Sequence, residues 1–147
     1  MELIERKIIK KIEKFISTDD IVILHGARQV GKTSILHIIK DKLDKQGKQT
    51  HYIDLEDLRL LEIFDEGPER VIKYLQINNI LNKKKLFLFV DEIQYLKNPT
   101  NFLKLMYDNY CNKIKLIVSG SSSFEIKKKF KDSLVGRTIE FNIYPLS

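Results

Sequence analysis

Gly26-Ala27-Arg28-Gln29-Val30-Gly31-Lys32-Thr33 lies between the apolar run Ile21-Val22-Ile23-Leu24 and a segment whose apolar residues recur at helical spacing. The stretch fits G-x-x-x-x-G-K-[ST], a loop that wraps phosphate groups, and a strand before it and a helix after it are the context the pattern requires. Gly26 and Gly31 can take backbone angles closed to other residues, so the loop can curl until its N–H groups converge on phosphate oxygens at a helix N-terminus. Expected nucleotide contacts run through Gly26, Ala27, Arg28, Gln29, Val30, Gly31, Lys32, Thr33 and Ser34. Lys32 would set a point charge against the β- and γ-phosphates, and Thr33 would offer a hydroxyl ligand to Mg²⁺.

Working outward, apolar positions Ile4, Ile8, Ile12 and Phe15 predict an amphipathic helix over residues 2–16, and a strand is expected at 21–25. The helix opening at Lys32 carries Ile35, Leu36, Ile39 and Leu43 on one face, with Gly47 as its stop. A short strand follows at Thr50–Asp54, then a leucine-rich acidic segment, irregular or briefly helical, over 55–64. Gly67-Pro68 starts a helix through Val71, Ile72 and Leu75, and Asn98-Pro99 caps another with Phe102, Leu103, Met106 and Tyr110 facing in. Leu86-Phe87-Leu88-Phe89-Val90 is continuously apolar, as in a parallel strand buried on both faces. Ile114–Ser119 gives a fourth strand, a helix is expected from about Ser123, and Thr138–Ile143 gives a last strand. Strands alternating with helical crossovers imply an α/β fold, a mostly parallel sheet with helices on both faces.

In such sheets ligands bind beyond the carboxyl ends of the strands. Three polar clusters fall there: the phosphate loop, Asp91-Glu92 and Ser119-Gly120-Ser121. Asp91 suits a Mg²⁺ site, because that ion keeps part of its water shell and takes hard oxygen ligands. Glu92 is the candidate to orient and deprotonate an attacking water, a role that separates hydrolysis from mere binding. Ser119 would contact the γ-phosphate or the water, although Gly120 and its flanking serines also make good turn and cap chemistry. Arg137, after Gly136 at the start of the last strand, is either an ordinary surface arginine or one that stabilises phosphoryl charge in its own site or a neighbour's. Gln94 reads equally as a coupling between Glu92 and a partner or as a bystander.

The 147 residues carry 26 Lys and Arg against 20 Asp and Glu, a net charge of +6. That length suits one domain. The basic excess allows nucleic-acid binding, but lysine runs such as Lys83-Lys84-Lys85 lack interleaved aromatics and read as a solvated face. A single cysteine, Cys111, excludes an intrachain disulfide, and His25, His37 and His51 show no metal-ligand spacing. With neither a long apolar run nor a signal-peptide pattern, a cytoplasmic protein without membrane contact is expected.

These residues together resemble the AAA-type ATPase domain at the N-terminus of many prokaryotic ATP-binding proteins with a poorly characterised C-terminal domain. The likeness rests on the loop at 26–33, Tyr-Ile-Asp-Leu-Glu-Asp at 52–57, Val-Asp-Glu-Ile-Gln at 90–94 and Leu-Lys-Leu-Met-Tyr-Asp at 103–108. It continues in Ser-Gly-Ser-Ser-Ser at 119–123, Leu-Val-Gly-Arg at 134–137 and Tyr-Pro-Leu-Ser at 144–147, with Phe102 standing where such proteins often have Trp. The resemblance implies a P-loop NTPase three-layer sandwich with strand order 5-1-4-3-2, ATP as nucleotide, Asp91 on Mg²⁺, Glu92 as base, Ser119 as sensor and Arg137 as a preferred phosphoryl contact. Residues 1–17 would form an N-terminal helix and 20–147 the ATPase core of one domain. Members of that family run on into a helical lid and further domains, so a chain ending at Ser147 is expected to bind nucleotide weakly and turn over slowly. Partners would be those C-terminal domains, other proteins or a second copy of the chain. Hydrolysis that drives conformational change leads the functional expectations; a nucleotide-dependent signalling switch, a small-molecule kinase and a nucleic-acid-binding module are the alternatives.

Overall fold

The structure, a computed structural model, describes residues 2–27, 31–121 and 134–144. The expected helix from Ser123, the loop residues Arg28, Gln29 and Val30, and the end of the Tyr-Pro-Leu-Ser motif lie outside the described residues. Five strands, β1 (Ile21–Gly26), β2 (Gln49–Asp54), β3 (Leu86–Asp91), β4 (Ile114–Ser121) and β5 (Thr138–Asn142), form one sheet in the order β2-β3-β4-β1-β5. Every pairing is parallel, which is the predicted 5-1-4-3-2 order read from the other edge. The helices are α1 (Glu2–Glu13), α2 (Lys32–Lys45), α3 (Leu58–Asp65), α4 (Pro68–Ile77) and α5 (Pro99–Tyr110).

Local chemistry sets the helix ends. Asp57 caps α3 by accepting from the Arg59 N–H at 2.9 Å, which makes the ambiguous 55–64 segment a true helix from Leu58. Asn98 does the same for α5 through the Asn101 N–H at 3.1 Å, and Pro68 and Pro99 occupy first-turn positions that need no N–H. At the end of α2, Gly47 takes φ +79°, its N–H reaching Asp44 and the next N–H reaching Leu43. That paired return of two N–H groups is the left-handed stop expected of glycine.

Alternation along the strands splits the core into two layers. Ile21, Ile23, Leu86, Leu88, Val90, Leu116 and Val118 pack with α3, α4 and α5 on one face. Phe102 lies there 5.6 Å from the Phe64 ring, so the aromatic packing survives without an indole. Val22, Leu24, Phe87, Phe89 and Ile117 pack with α1 and α2 on the other face. In the part of α1 from Arg6 onward the buried positions are Ile9 and Ile12.

Lys115 interrupts the second face in the middle strand, and it is 1% exposed. Its stem runs through the apolar layer and its ammonium donates to the carbonyls of Phe15 (2.6 Å), Thr18 (2.8 Å) and Asp20. The lysine thus satisfies three backbone acceptors where the chain passes from α1 into β1, and so anchors that connection on the sheet. Burial pushes its pKa down to about 8, partly opposed by Asp20. Unfolded, the same group titrates near ~10.4. Between those values the unfolded chain binds more protons, so this group's contribution to stability rises with pH across that window. Lys115→Met should cost about 1–3 kcal/mol at neutral pH, since three buried acceptors lose their donor. In urea denaturation the gap between parent and variant should widen from pH 8 toward pH ~10; a gap that narrows would contradict this account.

Candidate functional site

The phosphate loop leaves β1 at Gly26, and Gly31 precedes α2 with φ 91°, the left-handed conformation that glycine supplies without steric cost. No side chain caps α2 at this end, which leaves its first-turn N–H groups to serve an anion. Lys32, 2% exposed, turns back across the loop and donates to the carbonyls of Gly26 at 2.7 Å and Ala27 at 2.8 Å. The ammonium is therefore held at the loop by the strand end itself. Ser34, in the first turn, is exposed.

Asp91 ends β3 and is 2% exposed, so its charge must be met by donors from the protein. Three hydroxyls meet it. Thr33 on α2 donates to Oδ2 at 2.7 Å, Tyr52 on β2 donates to the same oxygen at 2.5 Å, and Ser119 on β4 donates to Oδ1. Strand register explains the convergence: Tyr52 pairs with Phe89, two residues before Asp91, and so shares the face of Asp91 that α2 covers. Burial first, then the hydrogen bond to Asp91 and the charges of Asp91, Asp54 and Glu92, raise the Tyr52 pKa well above the ordinary tyrosine range. The phenol is a dependable donor at neutral pH.

Facing oxygens on Asp91 and Thr33, with Thr33 exposed to solvent, fit a hard divalent cation such as Mg²⁺, which takes one or two protein oxygens and fills its remaining positions with water and phosphate. Among the described residues no three His, Cys, Asp or Glu side chains gather as an all-protein metal cage. Coordination would require Thr33 to turn a lone pair, in place of its proton, toward the ion.

Glu92 follows directly, with φ 64° and 7% exposure. A non-glycine residue in that region is uncommon and costs energy that the surroundings must supply. Its carboxylate has a partner of its own: Oε2 accepts from Gln94 Nε2 at 2.5 Å, while the Glu92 N–H donates to Ser119 Oγ at 3.1 Å. A 3₁₀ turn, Ile93–Tyr95, carries Gln94, and Gln94 Oε1 accepts the Ser121 N–H at 3.1 Å.

Most of the sequence-predicted residues within the described chain come together: Gly26, Ala27, Gly31, Lys32 and Thr33 beside Asp91, Glu92 and Ser119. Two expectations change in detail. Ser119 is fully buried and its one proton goes to Asp91, so in this arrangement it reaches a phosphate only through that carboxylate. Arg137 does not join the cluster. Its carbonyl pairs with the N–H of Ile21 and Thr138 aligns with Ile21, at the amino end of β1. The phosphate loop leaves the opposite end, five residues or roughly 16 Å away by the rise of a parallel strand. There Arg137 holds Asp108 through Nε at 2.8 Å and Nη2 at 3.2 Å, which lowers the carboxyl pKa and raises that of the guanidinium. Tyr52 joins the site with no motif of its own to mark it, and Gln94, which the sequence leaves equally a coupling between Glu92 and a partner or a bystander, bonds Glu92 directly. Tyr52 has a signal in sequence only once β2 is known to lie beside β3 in register.

A family model described as an AAA domain matches residues 18–147. An uncharacterized protein of Methanocaldococcus jannaschii is 35% identical over 143 residues, covering 96% of this chain and 30% of its own length. An uncharacterized protein of Haemophilus influenzae is 24% identical over 142 residues, covering 95% of this chain and 34% of its own. The chain thus spans about a third of the length of these relatives. Among solved structures, C. elegans PCH-2 superimposes with a TM-score of 0.67 at 18% identity, over 98% of this chain and 44% of that one. AMPPCP-bound DnaA from Aquifex aeolicus gives 0.60 at 16% identity, over 93% and 44%. These likenesses show the fold, and among the described residues no helix is long and apolar enough to cross a membrane. With the family match running through the phosphate loop, Asp91 and Glu92, the chain belongs to the AAA domain family of P-loop ATPases.

Proposed function

We propose that this domain binds ATP with Mg²⁺ and hydrolyses it, coupling turnover to conformational change in attached domains or partners. The observation that carries the reading is the meeting of Thr33, Asp91 and Ser119 in one hydrogen-bonded group beside the Lys32 loop, with Glu92 alongside. Loop N–H groups and Lys32 would hold the β- and γ-phosphates, the lysine exchanging loop carbonyls for phosphate oxygens. Thr33 and Asp91 would hold Mg²⁺, which when bound neutralises phosphate charge and orients the γ-phosphoryl group. Glu92 would accept the proton of a water whose oxygen bonds to the γ-phosphorus as the bond to the β-bridging oxygen breaks, releasing ADP and phosphate. Ser119 and Tyr52 would fix the Asp91 carboxylate.

Arg137 enters this reading only as a residue presented to a neighbouring copy, since the sheet separates it from its own phosphate loop. The structural likeness to DnaA supports the fold and adds nothing about nucleic acid for this chain.

Glu92→Gln should retain ATP binding while turnover falls by about 100-fold or more, the usual contribution of a general base. Undiminished phosphate release would remove Glu92 from the chemistry. Lys32→Ala should weaken ATP affinity by about 10- to 100-fold, read by titration with a fluorescent ATP analogue and by nucleotide content after purification; equal content in both proteins would remove the loop from binding. Tyr52→Phe removes one donor from Asp91 with little change in volume. The Mg²⁺ concentration giving half-maximal ATP binding should rise about tenfold, with little change in melting temperature. An unchanged Mg²⁺ requirement would restrict Tyr52 to packing.

A further inference from the structure

Gln94 uses both ends of its amide. A carboxylate can only accept and a backbone N–H can only donate, so the Glu92 and Ser121 contacts fix which end is nitrogen and which is oxygen. No other side chain of this length does both jobs. A glutamate would keep the acceptor for Ser121 but set a second carboxylate against Glu92; a methionine would fill the space and provide neither contact.

The amide also closes a circuit between two strand ends. From Asp91 the path runs through the Ser119 hydroxyl to the Glu92 N–H, and from the Glu92 carboxylate through Gln94 to the Ser121 N–H. Ser119 and Ser121 both belong to the carboxyl end of β4. Backbone and side chain of Glu92 are therefore tied to the same short piece of strand, and the left-handed turn at Glu92 is held by contacts on both.

We propose that Gln94 is a positioning residue that sets the Glu92 carboxylate by tethering it to the end of β4, so the hydrolytic group follows the strand that braces Asp91. The proposal rests on reading Glu92 as the residue that handles the attacking water. A displacement of Ser119 or Ser121 would move the metal-holding carboxylate and the hydrolytic carboxylate together.

The test compares Gln94→Glu and Gln94→Met with Glu92→Gln in the full chain, by ATP-analogue titration, thermal denaturation and single-turnover hydrolysis with protein in excess. Both Gln94 variants should keep ATP affinity within about twofold while the hydrolysis rate falls about 10- to 100-fold, the range for residues that orient a reacting or ligating group. Gln94→Glu should be the slower, because it adds like-charge repulsion. Combining Gln94→Met with Glu92→Gln should lose little beyond Glu92→Gln alone, as for residues acting as one unit. Parent-like hydrolysis in both Gln94 variants, or a loss matched by an equal loss of ATP affinity, would overturn the tether while leaving Glu92 in place. Parent-like hydrolysis in Glu92→Gln would overturn the reading beneath it, a distinct result.

Discussion

The Asp91 carboxylate is the constraint on which the arrangement depends. It stands at the end of a strand buried on both faces, where an unmet charge would cost on the order of several kcal/mol. Its three hydroxyl donors come from α2, β2 and β4, so the charge is met only when the strands on both sides of β3 and the helix after the phosphate loop are in place. Assembly of the sheet and assembly of the site are one event. The same carboxylate is the natural ligand for a hard cation, and its donors are hydroxyls, which can turn a lone pair outward as readily as a proton.

Among the described residues, polar side chains enter the sheet's two faces where the backbone or a charge has something to give them. Lys115 at the amino end of β4 meets three carbonyls, and His25 at the carboxyl end of β1 lies 2.7 Å from Glu140 on β5. Every buried side-chain nitrogen or oxygen among the described residues has a hydrogen-bond partner. The amino end of the sheet spends its polar groups on anchoring the chain, through Lys115 and the Arg137–Asp108 pair. The carboxyl end gathers its own around Asp91 beside the phosphate loop, where open parallel sheets bind ligands.

Much of this could be read from sequence because the signals were local. Unbroken apolar runs mark β1 and β3, a shorter one marks β4 after Lys115, helical spacing marks α2, α4 and α5, and the phosphate loop fixes one strand–loop–helix unit. Arg137 shows what topology adds. The start of a parallel strand is its amino end, so a residue just before Thr138 lies across the sheet from the loop after Gly26, a deduction available once all the strands run the same way. Tyr52 was hidden for a different reason: an aromatic in a half-buried strand is ordinary strand composition, and only the register of β2 on β3 turns it toward Asp91. The turn at Ile93–Tyr95 is three residues long, too short for any periodicity to announce.

Two adjacent carboxylates at a strand end pose a geometric problem that the backbone at Glu92 resolves. Had the strand continued, Glu92 would have pointed to the opposite face of the sheet from Asp91 and into the layer occupied by Val90 and Val118. A right-handed turn is the ordinary exit from a strand; the chain instead takes φ 64° at a glutamate. That choice gives the second carboxylate different company from the first, an amide donor in place of hydroxyls. Separate donors for each of two like charges a residue apart offset part of their repulsion. Under the proposed hydrolysis, the uncommon backbone angle would serve the chemistry by letting one carboxylate hold a cation while its neighbour handles a water.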